Sequence, residues 1–162
     1  MSAMTSGERH AVFSLATIFS LRMVGLFMIL PVFSVYGASL QGATPLLIGV
    51  AVGSYGLAQL LLQIPFGLWA DRFDRKKLII IGLTLFVLGG AIAASSTSIG
   101  GVIVGRFLQG AGAISAVVMA LLSVVVRDEH RTRAMAVVGM SIGISFAIAF
   151  VLGPWVADIF GL

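Results

Sequence analysis

Two arginines stand where arginine is costly. Arg22 and Arg106 are the only charged residues inside otherwise apolar runs of about 20 residues or more. A guanidinium at the centre of a lipid-spanning helix costs at least about 2.5–3.5 kcal/mol. Arg22 lies about 11 residues into its run, so about 16 Å deep at 1.5 Å per residue. At that depth the chain offers it no carboxylate. It must therefore meet water, a backbone carbonyl, an anionic substrate group, or protein outside these runs. Arg106 lies only about six residues into its run. It can snorkel outward, with Asp158 as the acidic neighbour. Gln59 and Gln63 are spaced i, i+4 and share a helix face with Tyr55. They either line a polar cavity or hydrogen-bond a neighbouring helix. This is chemistry for holding and passing a polar group. Bond-breaking chemistry is not indicated. With no cysteine, thiolate catalysis, disulfides and Cys-bound metals are excluded. His10 and His130 fall at the edges of the runs, too shallow for a midplane proton relay. No nucleophile constellation, metal cluster or phosphate loop occurs, so neither an enzyme nor a cofactor is expected.

The elements that carry these residues follow from the solvent they imply. Of 162 residues, 59% are apolar and 10% charged, against about 45–50% and about 25% in soluble domains. Mean hydropathy is +1.13. A soluble fold of this size leaves roughly 30% of its surface in water, which such a composition cannot satisfy. Lipid is the expected surroundings. Five apolar runs, at about 11–36, 46–70, 78–96, 100–126 and 134–157, each come close to or exceed the roughly 20 residues that cross a bilayer. The reading is an all-α membrane protein with five transmembrane helices. The first run is too long for a signal-peptide core of about 7–15 residues and is read as a retained helix.

Charge placement gives an orientation. Outside the spans, every Lys and Arg precedes span one or lies between spans two and three or spans four and five. The connections Gly37–Pro45 and Ser95–Gly100 carry no charge. The positive-inside rule then expects the N-terminus in the cytoplasm. The same asymmetry accounts for a pI near 10.4 without a nucleic-acid partner.

Twenty glycines concentrate in the spans, where small residues let helices approach. Gly49 and Gly53 form a GxxxG pair. Gly112, Ala116 and Ala120 form a stripe at spacing four. Ser141, Ser145, Ala149 and Gly153 form another, widened by Gly139, Gly143 and Ala147. These stripes serve either ordinary packing or contact with a moving partner helix. Pro31, Pro65 and Pro154 are each expected to bend or end their helix.

Three local patterns then point to a family. The connection between spans two and three reads Gly67-Leu-Trp-Ala-Asp71-Arg72-Phe-Asp74-Arg75-Lys76-Lys77, similar to the G-x-x-x-D-R-x-G-R-K/R signature of the major facilitator superfamily. Arg106-Phe-Leu-Gln109-Gly110-Ala-Gly112 resembles that superfamily's R-x-x-Q-G-x-G motif. Ala149-Phe-Val-Leu-Gly153-Pro154 resembles the G-x-x-x-G-P motif of its antiporters. Asp74 replaces the loop glycine of the first motif, and Ala149 the leading glycine of the third. All three fall on the expected spans, in order.

The resemblance implies a secondary transporter working by alternating access, with a small-molecule substrate, drug efflux as the direction, and possible coupling to protons. It places Gly67, Asp71, Arg72, Arg75 and Lys76 in a gating motif, in which Asp71 latches two halves by meeting a helix N-terminus. Asp128 or Glu129 would join that cluster. Arg22, Arg106, Gln59, Gln63 and Tyr55 become candidates for substrate binding or proton coupling. Gly110, Gly112, Ala149, Gly153 and Pro154 become helix-packing residues. Transporters of the superfamily have twelve spans in two six-span halves, each an inverted pair of three-span repeats. Residues 1–162 are thus expected to be an incomplete N-terminal half, in the bacterial inner membrane, lacking its C-terminal half. The alternative is a small membrane protein that oligomerises or modulates a partner through its glycine faces.

Overall fold

Helix starts coincide with residues that can cap them. In the computed structural model, which describes residues 4–160, Thr5 and Glu8 form a capping box that opens α1 (Ser6–Phe27). The Glu8 N–H donates to Thr5 Oγ1 at 3.2 Å, and the Thr5 N–H donates to Glu8 Oε2 at 2.8 Å. After α2 (Ile29–Tyr36), Thr44 caps α3 (Pro45–Arg72), with Pro45 at the first helical position. Asp74 caps α4 (Arg75–Ser95), accepting from the Lys76 N–H at 2.9 Å. Its φ is −62°, so the aspartate at the motif's glycine position sits without strain. Ser98 caps α5 (Ile99–Ala111), which is followed by α6 (Ser115–Val125) and α7 (Asp128–Phe160).

Among the described residues these α-helices make five spans long and apolar enough to cross a membrane. The first and fifth begin before the apolar runs do, at Ser6 and Asp128. Glu8 in one first turn, and Asp128 and Glu129 in the other, suit the positive end of a helix dipole.

Two spans are interrupted. The first breaks at Met28, between α1 and α2. Pro31 has no N–H for the Phe27 carbonyl, which accounts for the break. The fourth breaks at Gly112–Ile114, which the sequence reading did not expect. Gly112 has φ −74° and ψ 52°, and the Ala113 N–H donates to Ala111 O at 2.9 Å, an inverse γ-turn. The expected stripe of Gly112, Ala116 and Ala120 is therefore not one continuous helix face. Pro65 and Pro154, by contrast, lie inside unbroken helices. Each removes one backbone donor, but opening further bonds in lipid costs several kcal/mol apiece, so the helix continues.

α5 lies between α3 and α4, and α1 packs along α7. α6 sits at the centre: Val117, Val118 and Leu122, with Ile114 just before the helix, are wholly buried against Phe19 and Met23 of α1, Phe66 of α3 and Val138 of α7. The uncharged connections are clipped together. The Gln41 N–H donates to Thr97 O at 3.0 Å and the Ile99 N–H to Gln41 O at 3.1 Å. Large apolar side chains such as Leu60, Ile64, Val87, Val151 and Trp155 face outward, as lipid allows.

α5 crosses both α4 and α3 closely. A Cβ on Gly105 would stand 2.6 Å from Gly89 O, and one on Gly89 would stand 2.5 Å from the Gln109 nitrogen. Gly110 backs onto the Tyr55 carbonyl, and Gly112 onto the Gly82 carbonyl. The span-five motif packs on the break in span one: a Cβ on Gly153 would stand 2.6 Å from Pro31 Cγ, and Ala149 is fully buried. Gly49, Gly53, Gly139 and Gly143 meet nothing among the described residues.

Candidate functional site

Arg22 is 2% exposed. Its Nη2 donates to Gly112 O at 3.0 Å, and its Nη1 reaches Ser115 Oγ at 3.4 Å. The break in span four makes this bond possible. In a continuous helix the Gly112 carbonyl would accept from residue 116; here it accepts from the Ile114 N–H at 2.8 Å and from Arg22. The guanidinium carbon lies 5.6 Å from the Phe86 ring centroid and 5.9 Å from that of Tyr55, within cation–π range. Of the partners considered for Arg22, the backbone carbonyl is the one observed.

Arg106 approaches the same Tyr55 ring, its guanidinium carbon 5.0 Å from the centroid. It is 1% exposed, so it does not snorkel. Its Nη1 donates to Gln109 Oε1 at 3.0 Å. Asp158 is exposed and is not its partner. The cause is the grip of α3 and α4 on α5, which points the side chain into the bundle.

Tyr55 is thus the shared member of an Arg–Tyr–Arg cluster. Gln59 follows one turn on and is half-buried, but Gln63 is exposed. At about 100° per residue, Gln63 has drifted about 80° around the helix from Tyr55. The three therefore do not share one buried face. Phe86, Gln109 and Ser115 complete the surroundings, and the sequence reading had not assigned them a role. Only Gln109 carried a signal, since its i+3 spacing from Arg106 puts both on one face.

The charged end of the bundle is built differently. Arg75 Nη2 stands 3.9 Å from Asp71 Oδ1, and the Asp71 side chain is 73% exposed. Such a pair contributes about 0–1 kcal/mol. Arg72 and Lys76 are exposed, and Gly67 lies beside Ala116. Asp128 and Glu129 do not join this group. Asp128 pairs with Arg131, and Glu129 pairs with Arg127 at 2.9 Å and approaches His130 at 3.7 Å. Their place at the start of α7 ties them to their own helix turn. A contact the sequence did not disclose links Glu8 to Arg127. Glu8 Oε1 accepts from the Arg127 backbone N–H at 3.0 Å and from its Nε at 2.9 Å, and Oε2 accepts from Nη2 at 3.1 Å.

The sequence pattern of the Major Facilitator Superfamily matches residues 15–162. The chain belongs to this superfamily. It is 58% identical over 159 residues to the inner membrane transport protein YajR of Escherichia coli (strain K12), covering 98% of this chain and 35% of that protein. It is 50% identical over 154 residues to an uncharacterized transporter of Buchnera aphidicola subsp. Acyrthosiphon pisum (strain APS), covering 95% and 40%. Multidrug resistance protein 2 of Bacillus subtilis (strain 168) is 32% identical over 143 residues, covering 86% and 35%. The chain thus spans 35–40% of the length of these relatives. Membership explains why lipid-facing helices enclose a polar cluster: superfamily members are integral membrane proteins.

Proposed function

We propose that the chain serves in a secondary transporter and supplies its first five spans. The transporter exports small, amphipathic compounds by alternating access, with protons as the coupling ion. The observation that carries this reading is the meeting of an interrupted span with a buried charge: Arg22 of the first span bonds the carbonyl freed by the break in the fourth. Irregular backbone at membrane depth is tolerated where it is buried in protein or lines a cavity.

In this reading Arg22, Tyr55 and Gln59 belong to the substrate pathway, Arg106 to proton coupling, and Asp71, Arg72 and Arg75 to the gate. Asp71 is exposed and weakly held, which leaves its carboxylate free for a helix N-terminus elsewhere in the transporter. A place in the inner membrane, with a cytoplasmic N-terminus, is supported by the one-sided basic residues and by the likeness to the E. coli inner membrane transport protein. Drug export is supported by the likeness to the B. subtilis multidrug resistance protein.

The test is efflux of a fluorescent amphipathic compound from cells making the protein at its natural length. Asp71→Asn should slow efflux about tenfold with an unchanged amount in the membrane, and a protonophore should abolish it. Undiminished efflux in Asp71→Asn sinks the gate assignment.

A further inference from the structure

The Arg–Tyr–Arg cluster lacks its counter-charge. The chain has six acidic residues, and none lies beside Arg22 or Arg106. Glu8, Asp71, Asp74, Asp128 and Glu129 occupy the charged end of the bundle, and Asp158 is exposed near the other. Among the described residues neither buried arginine forms an ion pair. Both guanidiniums lie within 6 Å of one ring centroid, so two positive charges stand near a single ring. A carbonyl, a hydroxyl and an amide oxygen soften that charge but do not balance it, and uncompensated buried charge is strongly unfavourable.

The unmet atoms are mostly donors. Arg22 Nε, Arg106 Nε and the Tyr55 hydroxyl are buried without partners, and so is Gln59 Oε1 on the next turn. A rotated Gln59 amide would present a donor in that place. An apolar cavity of about 470 Å³ meets the surroundings of the cluster at Gln109, with Gly25, Met28, Ile29, Phe33 and Val102 among its other lining residues. Gln109 is the link: it lines the cavity, and its amide oxygen occupies Nη1 of Arg106.

We infer that the cluster binds a single carboxylate, which takes the place of the Gln109 amide oxygen on Arg106 and accepts from the Tyr55 hydroxyl. One carboxylate oxygen would meet Arg106 Nη1 and the other the Tyr55 hydroxyl, and charge-assisted bonds of this kind are the strong ones. An apolar body on the same molecule would occupy the cavity, which makes an apolar monocarboxylic acid the ligand class. The carboxylate can equally be a side chain from protein beyond these residues. The inference deepens the transport reading by naming a chemical class for this cluster.

Thermal unfolding of the natural-length protein in detergent tests it, with sodium benzoate as the probe and neutral benzamide as the control. Benzoate should raise the midpoint by about 3 °C or more, and benzamide should not. Tyr55→Phe keeps the ring under both arginines and should at least halve the shift; Arg106→Gln should abolish it. This pattern places a free acid at the cluster. A shift absent from the natural protein, but appearing when one Asp or Glu beyond residue 162 becomes Ala, places an internal carboxylate there instead. Equal shifts with benzamide, a benzoate shift indifferent to both variants, or no shift in any of these proteins overturns the inference. Benzoate binding in a protein without efflux overturns the transport reading alone. Efflux without benzoate binding in any variant overturns the carboxylate site alone.

Discussion

The Glu8 carboxylate accepts three hydrogen bonds from Arg127, two from the guanidinium and one from the backbone. It also accepts from the Thr5 N–H. One side chain therefore caps its own helix and holds the connection between α6 and α7. That connection follows the central helix of the bundle, so the contact fixes the charged end of the first and fourth spans together.

Glu8→Gln should lower the thermal midpoint by on the order of 5 °C, because an amide cannot accept the whole set. Asp71→Asn should leave the midpoint within about 1 °C, since its ion pair is long and exposed. Scanning fluorimetry of both variants in one detergent makes the comparison. Equal midpoints would mean that the Glu8 contact contributes nothing to the fold.

Glycines that look alike in sequence should behave oppositely. Gly105→Ala places a Cβ against backbone atoms of α4 and should cost about 1–3 kcal/mol. Gly143→Ala meets no described neighbour and should be neutral or slightly stabilising, as alanine is the better helix former by about 1 kcal/mol. Unfolding titrations of both variants decide the point.

Arg22 should not tolerate lysine. An ammonium lacks the planar fork that reaches Gly112 O and Ser115 while lying near two rings. Arg22→Lys should destabilise by about 1–3 kcal/mol. Ser115→Ala should cost under about 1 kcal/mol, because its contact at 3.4 Å is long for a hydrogen bond. The two variants, measured by the same titration, separate the carbonyl bond from the hydroxyl contact.

Hydropathy made five spans legible, because lipid demands long apolar helices whatever their packing. The motifs made the superfamily legible, and the burial of Arg106 turned its quoted i+3 glutamine into a partner. The interruption at Gly112 was not legible. It depends on how closely α5 can approach α4, and that distance is set by Gly82, Gly89 and Gly105 together. Proline marked one real break, at Met28, while the helices run on through Pro65 and Pro154. The Glu8–Arg127 contact spans 119 residues, and no local pattern encodes such a pairing. Asp128 and Glu129 pair with Arg131 and Arg127 rather than with the Asp71 cluster for the same reason: nearness in charge pattern is not nearness in space.

Arg22 and the carbonyl it bonds are 90 residues apart. A chain made at about 5–20 residues per second therefore delivers the first span about 5–18 s before Gly112 exists. During that interval the first helix has to be held with its guanidinium unmet. The order of synthesis thus gives the fourth span a second task besides crossing the bilayer. Its arrival is what lets the first span settle fully into lipid.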